Sequence, residues 1–411
     1  MSDKNFKIKN GLTIGGISTA GILTVDTSGN VTSTGLSGTT GTGSTVVLST
    51  GATTINQTLT TPILTNPNIQ VPSVTVPTPT FVAVVNSDTT AAYSTNGITW
   101  TITTLPSGAN WQSVTYGNGN FVAVAVATTT AAYSTNGVTW TATTMPLSSF
   151  WYSVTYGNGT FVALSNGTTA AAYSTNGITW TTTTLPSSAN WGSVTYGNGA
   201  FVAVADSYTT VAYSTNGITW TTTTLPSSAS WQSVTYGNGT FVAVAYNSTT
   251  AAYSTNGTTW TVTTLPSASA WQAVTYGNGT FVAITTVSTG PTTAAAYSTN
   301  GITWTATTLP SASSWYSVTY GNGTFVAVTP YDITAAYSTN GITWTATTMP
   351  TNDIWQAVAY GTTYVTTPAT SGTFSINGST GTNGQVIQST GTGLQWASQP
   401  AINPIFMIGG V

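Results

Sequence analysis

Between residues 81 and 361 the chain repeats one unit of about forty residues, and this period decides what it can fold into. The stretch YSTNGITW opens at Tyr93 and returns, nearly unchanged, at Tyr133, Tyr173, Tyr213, Tyr253, Tyr297 and Tyr337. The spacing is 40 residues except for one interval of 44 between Tyr253 and Tyr297. Periods of about 40 to 45 residues with several short strands per unit are the signature of propeller blades. From residue 111 one unit reads WQSVTYGNGNFVAVAVATTTAAYSTNGVTWTATTMP, which parses into the strands WQSVTY, FVAVA, TAAYS and VTWTATT. β-Branched and aromatic residues fill these runs, and Gly, Asn and Pro separate them. Asn-Gly joins the first strand to the second and the third to the fourth, a hairpin signal because both residues tolerate positive φ. Each unit is therefore expected to be a four-stranded antiparallel meander.

The ends of the array carry further information. First strands begin at Trp111, Trp151, Trp191, Trp231, Trp271, Trp315 and Trp355, while the hairpin at Tyr93 has FVAVV before it but no first strand. The last first strand, WQAVAY from Trp355, has no hairpin after it. The two fragments complete one another if the array closes on itself, which leaves no exposed sheet edge at the seam. The expected fold is all-β: a seven-bladed β-propeller with circular closure over residues 81–361, flanked by extended Thr/Gly/Ser-rich β segments at 1–80 and 362–411.

The repeated hairpin Ser94-Thr95-Asn96-Gly97-Ile98-Thr99-Trp100 resembles the Asp-box of sialidase-type propellers, Ser-x-Asp-Gly-x-Thr-Trp, with Asn in the Asp position in every copy. In that family the box is a structural hairpin on the face away from the active site. The resemblance implies an arginine cluster for a carboxylate substrate and Tyr, Glu and Asp for chemistry. Here the composition matters: there is no Arg, Glu, His or Cys. The only cations are Lys4, Lys7 and Lys9, and the acids are Asp3, Asp26, Asp88, Asp206, Asp332 and Asp353. A carboxylate pair for glycoside hydrolysis must sit close together, whereas Asp206 and Asp332 fall three blades apart. The motif is read as marking the fold and not an enzyme. A phosphate backbone finds nothing to neutralise it, so nucleic acid is not an expected partner. No cofactor is expected, and one Asp per loop falls short of a calcium site. No apolar run approaches the roughly 18 residues of a membrane span, and no signal-peptide core is visible, so membrane insertion and export by a signal are not expected.

A second resemblance covers the flanks. LSGTTGTGSTVVLSTGATTINQTLTTPILTNPNI resembles the Thr/Gly-rich connecting segments of bacteriophage tail fibres, TNGQVIQSTGTGLQWAS resembles another segment common in phage tail proteins, and KNFKIKNGLTIGG is similar to the N-termini of marine-phage virion proteins. The resemblance implies a virion appendage, made in a host cytoplasm and attached to other tail proteins; such fibres are commonly homotrimers.

Comparison of the repeats with one another separates two faces. The GNG and TNG turns barely vary, whereas the loops between second and third strands and between units vary most. A diversified end on a constant frame is the layout of a binding surface. That end carries Asp88, Phe150, Tyr152, Asp206, Tyr208, Tyr246, Asn247, Tyr316, Tyr331, Asp332 and Asp353. Aromatic planes beside amide and carboxylate acceptors suit sugar rings; the same residues are also compatible with loops that drift without selection. The function expected is non-enzymatic attachment to a host-cell glycan or receptor. Two alternatives stay open: a structural virion decoration or spacer, and a polysaccharide-degrading enzyme.

Overall fold

The computed structural model of the protein describes residues 74–206, 208–286, 292–330 and 332–367, and the backbone of short strands within 13–47 and 385–398. The chain divides into the unit Val76–Val365 and a second drawn from both flanks, Met1–Thr75 with Thr366–Val411. In the second, the described strands pair antiparallel: Thr13–Ile14 with Val46–Val47, Ile22–Val25 with Val31–Thr34, and Gln385–Ser389 with Leu394–Ser398. The described residues contain no helix, and hence none long and apolar enough to cross a membrane.

The repeat folds as antiparallel meanders. In the unit that opens at Trp111, strands Trp111–Gly117, Asn120–Ala125, Thr128–Ser134 and Thr141–Ser149 lie side by side in chain order. The second strand, Asn120–Ala125, carries the unbroken apolar run FVAVA because both its faces are covered. Phe121, Ala123 and Ala125 join Trp111 and Trp140 on one side. Val122 and Val124 face the core of the next unit, with Trp151 and Phe161. Each core is thus built between neighbouring sheets, and the first-strand tryptophans, from Trp111 to Trp355, are fully buried. Their indole N–H groups donate to the backbone four residues upstream, as Trp111 does to the Ser107 carbonyl at 3.2 Å.

One strand differs from the sequence expectation. The fourth begins at Thr141, after Trp140, and runs on through Met145 and Pro146, whereas VTWTATT was expected. The tied turn from Ser134 to Thr139 keeps Val138 to Trp140 out of the ladder, and the first pair is Tyr133 with Thr141. Proline is accommodated because this strand lies at the sheet edge, where one row of N–H groups has no ladder partner. In two places the fourth strand continues directly into the next first strand, giving the 17-residue strands Thr181–Gly197 and Thr221–Gly237.

Neighbouring units are joined by recurring contacts. A fourth-strand threonine donates to the carbonyl after the next TNG turn: Thr103 to Val138, Thr143 to Ile178, and so on to Thr307 and Ile342. The same bond runs from Thr347 to the Ile98 carbonyl at 2.7 Å, linking the last unit to the first. Strand Trp355–Thr367 joins the sheet of Val74–Val85, Asp88–Ser94 and Thr101–Ala109. The adjacent strands Val74–Val85 and Trp355–Thr367 run past residues 81 and 361, and the Thr80 and Thr363 hydroxyls meet at 3.2 Å in buried surroundings.

Candidate binding face

At one end of each sheet lie the repeated turns. In GNG, Asn118 and Gly119 have φ of 47° and 81°, so both occupy the left-handed region of a type I′ hairpin. TNG works differently: Gly97 has φ of 73° but Asn96 does not adopt positive φ, contrary to the expectation for both residues. Asn96 instead acts through its side chain. Its Oδ1 accepts the N–H groups of Ile98 at 2.8 Å and Thr99 at 2.9 Å, while Ser94 Oγ accepts that of Gly97 at 2.8 Å. An amide oxygen therefore does the accepting where the sialidase-type box carries Asp. The two turn types share one end, since Asn118 Nδ2 donates to the Thr175 carbonyl in the TNG turn of the next unit at 3.3 Å.

At the opposite end each first strand is preceded or opened by a buried Trp, and in five units a register irregularity follows it, at Trp111/Ser113, Trp151/Ser153, Trp191/Ser193, Trp231/Ser233 and Trp271/Ala273. Such a bulge leaves one residue out of the ladder and re-aims its side chain. The residues at this position are Gln112, Tyr152, Gly192, Gln232, Gln272, Tyr316 and Gln356. Five of them, from five different units, line two neighbouring cavities. Tyr152 and Tyr316, distant in sequence, bring their hydroxyls to 3.4 Å.

The larger cavity, about 420 Å³, is lined by Tyr152, Asp206, Ser230, Gln232, Tyr246, Asn247, Gln272 and Tyr316. It is within the size range of small-molecule sites. The other, about 360 Å³, shares Tyr316 and is lined also by Asn86, Pro330 and Gln356. Burial holds the Tyr152 phenol far above its usual pKa, and the neighbouring Tyr316 and Asp206 push it the same way. Tyr152 accordingly remains a protonated hydroxyl, able to donate.

The structure gathers Tyr152, Asp206, Tyr246, Asn247 and Tyr316 of the sequence-expected residues into one cup. It does not bring the other described ones there. Phe150 and Tyr208 project into solvent, 54% and 45% exposed. Three acids are turned to their own loops. Asp88 accepts from Thr89 N–H and the Thr90 hydroxyl, which hold its pKa below the ordinary value. Asp332 accepts from the Thr334 hydroxyl at 2.7 Å, and Asp353 from that of Thr351 at 2.7 Å. Tyr331 and the extra residues around Gly290 and Pro291 lie outside the described residues. Asn247 also has a structural role, with φ of 51° at a loop position where Ser87 and Ala127 are left-handed too.

Sequence reasoning missed Gly192. The column of residues after each Trp reads Gln, Tyr, Gly, Gln, Gln, Tyr, Gln, and its single glycine falls between the cup residues Tyr152 and Gln232. Comparison of that column across the repeats was the signal that would have found it.

No family model matches the chain, and no curated protein matches it. Solved propeller-like structures do. Virginiamycin B lyase from Staphylococcus aureus is similar at 13% identity with a TM-score of 0.53, covering 59% of this chain and 85% of that one. A catalytically inactive histidine-to-alanine variant of that lyase, solved with quinupristin, gives 13% and 0.54 over 66% and 89%. A streptogramin B lyase gives 14% and 0.53 over 62% and 92%. At such identities the likeness defines the fold class alone: an all-β, propeller-like protein.

Proposed function

We propose that this chain is a non-enzymatic attachment protein of a virion tail, in which a closed seven-bladed propeller presents the cup around Tyr152, Tyr246 and Tyr316 to a host-cell glycan. The observation that carries the binding reading is the convergence of the residues that follow the first-strand Trp in four units, Tyr152, Gln232, Gln272 and Tyr316, on one polar, aromatic-walled cup, opposite an end built of repeated turns. Ring closure is supported by the last-to-first bond from Thr347 to Ile98 and by the sheet that unites strands from both ends of the repeat. The virion setting rests on the resemblance of the flanks to tail-fibre segments, and implies other tail proteins and further copies of this chain as partners.

The solved neighbours include lyases, and one is an inactive variant lacking a single histidine. This chain has no histidine at all, nor Glu, Arg or Cys. Its cup holds one carboxylate, Asp206, and neutral hydroxyl and amide groups. General acid/base catalysis needs a second group of suitable pKa within reach of the first. The test is to incubate the full chain with bacterial cells and their extracted surface polysaccharides, scoring retention on cells and release of reducing sugar. Retention without release is expected; release that vanishes in Asp206→Asn would replace attachment with degradation.

A further inference from the structure

We propose that Gly192 opens the cup, and that the cup accepts an uncharged sugar ring while rejecting an acidic one. This rests on the glycan-binding reading above and adds to it the chemical class of the ligand.

The first observation is steric. Of the bulge positions, only Gly192 lacks a side chain, and it lies against the carbonyl oxygens of Gln232 and Trp231, 3.3 and 3.4 Å from where a Cβ would stand. Gln232 is itself a cup residue. Asp206 comes from the same unit, paired through Asn190 two residues before the glycine. The missing side chain and the one carboxylate of the cup therefore belong to one blade. Where Gln112 and Gln356 occupy the corresponding positions, they are buried in the packing.

The second observation is electrostatic. Residues 10–411 contain no Lys, Arg or His, while residues 76–365 contain Asp88, Asp206, Asp332 and Asp353. A ligand carboxylate would meet no cation from residues 10–411 and would approach Asp206. Amide and hydroxyl groups supply both donors and acceptors for neutral hydroxyls, and the tyrosine rings supply stacking faces. This is the reverse of the arginine-lined sites that the hairpin motif brings to mind.

The experiment titrates the full chain calorimetrically with matched methyl glycosides and methyl glycosiduronates of the gluco, galacto and manno series. Each pair differs only in CH2OH against carboxylate at C6. At least one neutral glycoside is expected to bind, with its uronate roughly tenfold or more weaker, as like charges a few ångströms apart in a partly desolvated site require. Gly192→Gln is expected to weaken the neutral ligand at least tenfold; glutamine already stands at four equivalent positions, but here its Cβ would lie 3.3 Å from the Gln232 carbonyl oxygen, so the melting transition is measured alongside. Should that variant melt early, Asp206→Asn decides, and it is expected to narrow the neutral-to-uronate gap. Equal binding of both members of a pair overturns the inference, as does neutral binding indifferent to a folded Gly192→Gln. Cell retention without binding of any of these sugars overturns it and leaves the attachment reading standing. Loss of both brings down the attachment reading as well.

Discussion

The two ends of each repeat unit solve opposite problems with the same strands. At the turn end, Ser94, Asn96 and Gly97 and their counterparts make the same hydrogen bonds with nearly the same lengths in every unit, for example 2.8 Å from Ser214 Oγ to Gly217 N and 2.9 Å from Ser338 Oγ to Gly341 N. At the loop end the corresponding positions change from unit to unit, and what they hold in common is the buried Trp beneath them. Stability is thus concentrated where sequence is constant, and diversity sits where little packing depends on it. If this division is real, damage should grade from the seam and turns down to the loop tips.

The largest effect is expected from removing residues 355–361. This takes away Trp355, fully buried, and the first part of the strand Trp355–Thr367 that lies beside Val74–Val85. A buried Trp alone is worth about 3–5 kcal/mol, a large share of the roughly 5–15 kcal/mol of a typical domain. The cooperative melting transition should disappear in calorimetry, and a truncated chain that keeps it refutes ring closure.

Next come two glycines of one turn. A Cβ on Gly117 would stand 2.0 Å from the Tyr156 ring, whereas on Gly119, at φ of +81°, it would meet nothing within 4 Å. Gly117→Ala should cost roughly 3 kcal/mol or more through overpacking. Gly119→Ala should cost about 1 kcal/mol through left-handed backbone alone. Chemical denaturation of both variants measures the gap. Equal losses would mean that the close ring contact does not govern this end.

That contact also marks the limit of what the sequence revealed. The period, the four-strand unit and the GNG turn were legible because Trp, Asn-Gly and the FVAVA run recur in register. The start of the fourth strand was not, since the side-chain bonds of Asn136 to Val138 and Thr139 remove residues that have strand propensity. For the site, aromatic and acidic loop residues could be found, but not which ones converge. Asp88, Asp332 and Asp353 read like Asp206 in the sequence, yet only Asp206 enters the cup. Gly192 was overlooked because it contributes through an absent side chain.

A smaller effect is expected within the TNG turn. Asn216→Ala removes the acceptor for Ile218 N–H and Thr219 N–H, both 2.9 Å away, and should cost about 1 kcal/mol. Asn216→Asp keeps an oxygen in place and should stay within about 0.5 kcal/mol of the parent. Identical losses for the two would show that the turn is not held by this acceptor. At the loop end, Phe150→Ser and Tyr208→Thr should each change stability by less than about 0.5 kcal/mol, as both side chains face solvent; a larger drop in denaturant midpoint would contradict the division of labour.

The smallest effect belongs to Asp88, which lies at the loop end yet is tied like a turn residue. Bonds from Thr89 N–H, Thr90 and the Thr89 hydroxyl stabilise its charged form and hold its pKa below the ordinary carboxylate value of 3.8. A depressed folded pKa means that the unfolded chain takes up the proton first as pH falls. The contribution of Asp88 is therefore present above 3.8 and is lost as pH drops through the lower folded value. Asp88→Asn should melt slightly below the parent at pH 6, and the two curves should converge toward pH 2. The side chain is fully exposed, so solvent screening keeps the gap small. A gap that instead widens in acid would have the wrong sign for a carboxylate held by donors, and would assign the ordering of this loop to the Ser87 hydroxyl bond to Asn110 Oδ1 at 2.8 Å.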